Sequence, residues 1–406
     1  MAALHRHAQG ATNPSSGADA EVVWHIIAGE YPPDSGGVSD YTALVAEGLA
    51  DAGQRVHVWT GGKSEVVTEP HRRISVHRCG GDFGPSSLRR LHRHLDAFPQ
   101  PRRILVQYVP HAFGYKALNL PFAYWVRSRA TRHRDDVRIM FHEVAYPWVR
   151  SPLRHNLIAA INERMVRIMV ATASKMYVST AAWNERLVRL GAKPDNLDLL
   201  PIPSNIPEAT DRAASEAIRE SLLAGKNQRV IIGHFGTYGA NVCKVLQPIV
   251  ERLLVTASDC HLHLIGGGSE AFLTTLAARL PGLTPSVSAT GRLLEKAVGQ
   301  HIQACDVMLQ PYGDGASTRR SSLMACLINR RATVSTTGPN CEPLWAQQGI
   351  IRLAKLSDPS SALDHITELV EDVKVRDELG ERAYQYYQQH LSSQHHLTVL
   401  TGAAKN

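Results

Sequence analysis

The chain has 406 residues, 44% hydrophobic and 20% charged, and its 44 Lys and Arg against 37 Asp and Glu leave a formal charge of +7. That length exceeds what one core organises, about 250–300 residues, so two domains are expected. No run approaches the roughly 20 apolar residues of a membrane span, and the six cysteines lack metal-ligand spacing, which excludes a spanning protein, a disulfide scaffold and a zinc ribbon. The positive excess favours anionic partners. Few aromatics and no recognition-helix or RNA-binding signature argue against nucleic acid. Scattered thiols inside apolar runs read as reduced, hence a cytoplasmic setting. Residues 1–20, rich in Ala, Gly, Ser and His without the apolar core of a signal peptide, are expected to form a disordered leader.

From residue 21 the pattern alternates. A strand is expected at 21–27, then a loop punctuated by Pro32, Pro33, Gly36 and Gly37, then a helix capped by Ser39 with Tyr41, Leu44, Val45 and Leu49 on one face, closed by Gly53 before a strand at 55–60. This βαβ unit lacks the dinucleotide fingerprint, so no nicotinamide cofactor is implied. Further strands are expected at 74–78, 104–108, 137–141, 175–178 and 197–200. Between them, 87–95 places Leu88, Leu91 and Leu95 on one stripe with a basic opposite face, a solvated surface or a peripheral contact with an anionic membrane. His142 and Glu143 emerge from the 137–141 strand end, where open sheets deliver ligand-holding groups; a structural histidine is the alternative.

Three prolines in 201–207 break the rhythm and mark the crossing between domains. A second series follows, with strands at 230–235, 261–265, 287–290, 306–309 and 333–336, and with Gly236, Thr237, Gly266, Gly267, Gly291 and Arg292 in the loops behind the first three. The stretch 314–325 reads as the centre of the chain: strand, polar loop, short helix, strand. Loops that enter helices beyond the carboxyl ends of parallel strands present free N–H groups to anions. Arg319 and Arg320 at that point suggest a phosphate-bearing ligand, with Ser321 and Ser322 as further donors; a solvated arginine pair is the alternative. The helical stretches 362–373 and 375–390 complete the chain.

These residues resemble the retaining glycosyltransferases of family 4, which have the α/β GT-B fold, two Rossmann-like domains facing a central cleft. The likeness runs from the glycine loop at 32–41, through Phe141-His142-Glu143 and the crossing at 204–207, to 236–238, 264–268, 289–292 and 304–312. It implies an acceptor domain at 21–207, a nucleotide-sugar donor domain at 208–374, and a C-terminal helix over 375–406 that packs back on the first domain. It implies transfer of a sugar from a nucleoside diphosphate, UDP or GDP, to a glycan, lipid-linked or small-molecule hydroxyl, with no cofactor and no metal. His142 and Asp314 are the catalytic candidates. Gly36, Gly37, Gly236, Thr237, Lys244, Gly266, Gly267, Arg292, Ser317, Arg319, Arg320, Ser321 and Ser322 are the donor candidates, and Tyr108, His111 and Asn119 the acceptor candidates.

The chain departs from that family at several places. The usual pair of glutamates falls on Ser317 and Ala325, or in the other register on Asp314 and Ser322, and the arginine of the first donor loop is Thr237. The Gly-x-Pro that ends the following helix is Arg330-Arg331-Ala332, with Asn329 expected to supply the left-handed turn. The run Asp-Gly-x-Ser-x-Arg-Arg resembles a divergent bacterial subset. An inactive nucleotide-sugar-binding module and a GT-B epimerase are the rival readings.

Overall fold

Two series of strands and helices wind into two separate sheets in the computed structural model, which describes residues 22–34, 36–61, 66–67, 73–79, 81–114, 117–150 and 154–402. The expected leader, Glu21 and Ser35 of the glycine loop lie outside the described residues. The first unit runs β1 (Val23–Ala28), α1 (Gly37–Asp51), β2 (Arg55–Thr60), β3 (Val66–Val67), β4 (Ile74–Arg78), α2 (Pro85–Asp96), β5 (Arg102–Tyr108), α3 (Leu120–Thr131), β6 (Asp136–Phe141), α4 (Arg154–Val170), β7 (Lys175–Val178), α5 (Ala182–Arg189) and β8 (Leu197–Leu199). The second runs α6 (Arg212–Leu223), β9 (Val230–Phe235), α7 (Ala240–Thr256), β10 (Cys260–Ile265), α8 (Ser269–Arg279), β11 (Val287–Ala289), α9 (Glu295–Gln303), β12 (Val307–Gln310), α10 (Ser321–Ile328), β13 (Ala332–Thr336), α11 (Pro343–Gln348), β14 (Arg352–Ala354) and α12 (Ser360–Glu371), followed by α13 (Val373–His390) and α14 (Ser393–Thr401).

The strand orders are β3-β4-β2-β1-β5-β6-β7-β8 and β11-β10-β9-β12-β13-β14. Only β3 is antiparallel among the described strands. The order of the strands reverses once in each sheet, between β1 and β5 and between β9 and β12, the place where open parallel sheets bind ligands. Parallel sheets with helices on both faces bury their strands on both sides, which is why β10, β12 and β13 are buried at every residue. Helix α2 shows the complementary logic. Leu88, Leu91 and Leu95 enter the core while Arg89 and Arg93 stay exposed, as a domain-surface helix requires.

Three local expectations are corrected. Helix α1 begins at Gly37 with Gly36 as its cap, because Ser39 is already inside the first turn, where its hydroxyl donates to Asp34 O at 2.6 Å. The left-handed residue after α10 is Arg330, φ 53°, and not Asn329. Asn329 uses its side chain instead, accepting from Ala209 N–H at 2.9 Å and donating to Ala325 O at 2.8 Å, so it ties α10 to the crossing. The C-terminal segment is two helices. Ser392 breaks it, accepting from His395 N–H as a new N-cap, and α13 packs Ala383 and Tyr387 on the second unit while α14 packs on α1.

Candidate active site

The β12–α10 loop and the start of α7 enclose a cavity of about 700 Å³ at the second sheet's reversal point. Lys244, Arg319, Arg320 and Lys355 line it together with one carboxylate, Asp314. Burial raises the Asp314 carboxyl, but Arg320, Asn340 and Arg319 outweigh it and hold the group below its ordinary range. Its two oxygens take one guanidinium each: Arg319 Nη2 donates to Oδ2 at 2.6 Å and Arg320 Nη2 to Oδ1. Asn340 steadies the same oxygen as Arg319, at 3.2 Å. Each guanidinium also stands over a ring, Arg319 over Trp183 at 5.8 Å and Arg320 over Tyr312 at 4.8 Å. The Nε of both arginines is buried without a partner, so half of each planar fork is unspent.

The other donor candidates divide. Gly236, Thr237, Gly266, Gly267 and Arg292 belong to the loops after β9, β10 and β11 and do not line that cavity. Gly236 N–H donates to Ile265 O at 3.1 Å, and Gly266 holds φ 110° with its Cα hydrogen against Gly236 O, where a side chain would collide. Arg292 is exposed beside Gly267. Ser317 is fully buried with an unpaired hydroxyl, and Ser322 is spent on Tyr312 Oη at 2.8 Å. Ser321, half-buried, opens α10. In the first unit Gly36 and Gly37 lead into α1, but the Glu30 carboxylate already sits over Gly36 and accepts from Ser39 N–H at 3.3 Å.

His142 leaves β6 and is 9% exposed. Its Nε2 pairs with Gln107 Oε1 at 2.9 Å, its carbonyl accepts from Trp183 Nε1 at 3.0 Å, and its ring meets Tyr41 edge-on at 4.8 Å. Burial, with His396 nearby, pushes its pKa down to about 3, so the imidazole is neutral. Two acceptor candidates are corrected. Tyr108 is wholly buried among Phe113 and Phe141, and Asn119 caps α3, accepting from Phe122 N–H at 3.0 Å while donating to Phe83 O at 3.0 Å. Only His111 of the three is open to solvent, 3.9 Å from Glu143. Asp314 is likewise an ion-pair clamp rather than a free acid or base.

Thr318, Glu342, Trp183, Asn340 and Lys355 take part in the site without having been singled out by motif. Glu342 and Asn340 follow β13, so the rule that strand ends carry function could have found them. A further cluster, His92, Asp96 and His133, brings ligand atoms within 4.8 Å. Arg129 donates to the same Asp96 carboxylate at 2.7 Å, which makes this an ion-pair network rather than a metal centre.

Two facing doubly wound sheets with a cationic crevice define the GT-B architecture. Residues 36–203 match the glycosyl transferase 4-like domain family. The fold matches sucrose-phosphate synthase from Thermosynechococcus elongatus at 13% identity and TM-score 0.68, covering 94% of this chain and 98% of that one. It matches a glycosyltransferase from Rickettsia africae at 10% identity and TM-score 0.70, with 94% and 97% covered. It also matches HepE from Anabaena, solved with UDP and glucose, at 13% identity and TM-score 0.66, with 94% and 98% covered. No curated protein matches the sequence. The chain therefore has the GT-B fold, with residues 36–203 similar to the glycosyl transferase 4-like domain. No helix among the described residues is long and apolar enough to cross a membrane.

Proposed function

We propose that the protein is a retaining glycosyltransferase that moves a sugar from a nucleoside diphosphate sugar, UDP- or GDP-linked, to an acceptor hydroxyl. The observation that carries this is the cavity at the reversal point, with four cations against one carboxylate. As the bond from the sugar to the diphosphate breaks, negative charge grows on the departing oxygen, and fixed cations in a partly dry crevice stabilise it without reorganising. Arg319 and Arg320 are held in place by Asp314 until phosphate oxygens take over their donors, with Lys244 in the same cavity lining. These fixed charges supply what a metal ion would, so the reaction needs no metal and no cofactor. HepE, solved with UDP-glucose, supports the same class of donor here. His142, neutral at working pH, contacts the sugar as a hydrogen-bonding group and not as a base. His111 and Glu143 stand on the acceptor side, towards a glycan or lipid-linked hydroxyl. Exposed Arg89 and Arg93, beside a groove containing Tyr124 and Trp125, support a peripheral contact with anionic membrane from the cytoplasmic side.

A second reading, binding without turnover, is favoured by Ser317 and Ala325, both fully buried, which in one of the two registers stand where the resembling family carries glutamates. Incubation with radiolabelled UDP-, GDP- and ADP-sugars and a mixed acceptor extract separates the readings. Labelled glycoside is expected. Donor protected from melting but never consumed establishes the binding module, and an epimerised donor establishes the epimerase. Sedimentation with phosphatidylglycerol vesicles tests the membrane contact, which neutral vesicles should not reproduce.

A further inference from the structure

The two units meet around one buried carboxylate. Glu342, the residue before α11, is 3% exposed. Its Oε1 accepts from Thr180 Oγ1 at 2.8 Å and Ala181 N–H at 2.9 Å, both in the loop after β7 of the first unit. Its Oε2 accepts from Thr318 N–H at 2.6 Å, and Thr318 Oγ1 lies 2.7 Å from Oε1. Thr318 is itself tied to the first unit, with its hydroxyl 2.8 Å from Ser179 O and its carbonyl accepting Ile202 N–H at 2.9 Å. The next two residues are Arg319 and Arg320. Trp183, which stands under Arg319, also donates to the His142 carbonyl. One short segment, 179–183, thus touches the carboxylate, the arginine loop and the histidine.

No lysine or arginine pairs with Glu342 among the described residues, so its charge depends on these hydrogen bonds. Two of its donors belong to the opposite unit. Opening the cleft would remove Thr180 and Ala181 from Oε1 and loosen Thr318, whose backbone carries the cations. We propose that Glu342 is a positioning residue that couples closure of the two units to the placing of Arg319 and Arg320 at the donor phosphates. The last link rests on the donor reading given above; the closure itself does not.

The geometry makes a sharp test of Glu342→Gln. Oε1 faces the Ala181 N–H and Oε2 the Thr318 N–H, and neither backbone donor can accept. Whichever way the amide turns, its NH2 opposes one of them. The full chain is measured by small-angle X-ray scattering and by calorimetric titration with UDP and GDP, for the parent, Glu342→Gln, Thr180→Val and Thr180→Ser. Glu342→Gln and Thr180→Val should both enlarge the unliganded radius of gyration with unchanged circular dichroism, and weaken nucleotide binding, Glu342→Gln by about ten- to hundredfold. Thr180→Ser, which keeps the hydroxyl, should restore both values. Parent-like scattering in both Glu342→Gln and Thr180→Val overturns the proposal, and so does opening in Glu342→Gln alone, which makes the contact internal to the second unit. If Glu342→Gln fails to fold, Thr180→Val against Thr180→Ser decides. Should the parent bind neither nucleotide, the donor reading fails, while scattering still decides whether the carboxylate holds the units closed.

Discussion

The two units use the same architecture and spend their charges differently. In the first, the buried cations are consumed by structure. Arg102 and Arg129 converge on buried Asp135 at 2.8 and 2.6 Å, and the N-terminus of α1 is filled by Glu30. In the second, Lys244, Arg319, Arg320 and Lys355 line the cavity, and Asp314 alone answers them there. A reversal of strand order is therefore not sufficient to mark an anion site. What marks it is cation density that the fold itself does not need.

The contrast can be broken most forcefully at Asp135. Asp135→Asn leaves two buried guanidinium groups short of charge, and should lower unfolding free energy by about 3–5 kcal/mol in chemical denaturation while nucleotide affinity of the folded fraction stays put. At Arg320 the outcome should invert. Arg320→Ala is expected to weaken nucleoside diphosphate binding by roughly 1.5–3 kcal/mol, with little change in melting, and Arg320→Lys should recover only part of it because an ammonium cannot offer two parallel donors. If Arg319→Ala and Arg320→Ala both bind nucleotide as the parent does, the cavity is not the donor site.

Acid should act on the first unit in its own way. His25, fully buried, has its pKa lowered to about 3, first by burial and then by His57 and Arg102. The unfolded chain takes up this proton below its ordinary value near 6.5 and the folded chain does not, so the stability is complete above pH 6.5 and is lost as pH falls towards 3. The slope is about 1.4 kcal/mol per pH unit for this group, and His25→Gln should remove that share of it in pH-resolved denaturation. The smallest effect belongs to Glu30. Glu30→Gln removes an anion from the start of α1 and should cost about 0.3–1 kcal/mol, read as a shift in denaturation midpoint.

Most strands were legible as short stretches rich in β-branched and aromatic residues between turn signals, and 55–60, 74–78, 175–178 and 230–235 coincide with β2, β4, β7 and β9. The short strands β3 and β14 carry too few residues to show a period. The arginine pair was legible from its place before a helix, but its clamp was not, since Asn340 comes from another strand end. Tyr108 and Asn119 misled because a strand end and a loop look open in sequence, whereas aromatic packing and a helix cap close them. Glu342 and Thr180 lie 162 residues apart, and no local pattern records a contact that exists only once both sheets are built.

Helix α14 has a consequence for the order in which the molecule is made. Leu400 is fully buried in the same core cluster as Trp24 and Ile26, His396 Nε2 meets Tyr41 Oη at 2.7 Å, and Arg138 Nη1 donates to Leu400 O at 2.6 Å. When residues 22–199 leave the ribosome, that slot is empty and Arg138 lacks its carbonyl, and both wait for the whole second unit to be synthesised. Domains ordinarily fold as they emerge, N-terminal first. Here the first sheet's core is completed by a helix that follows the whole second unit in sequence, so its final packing waits for synthesis of that unit.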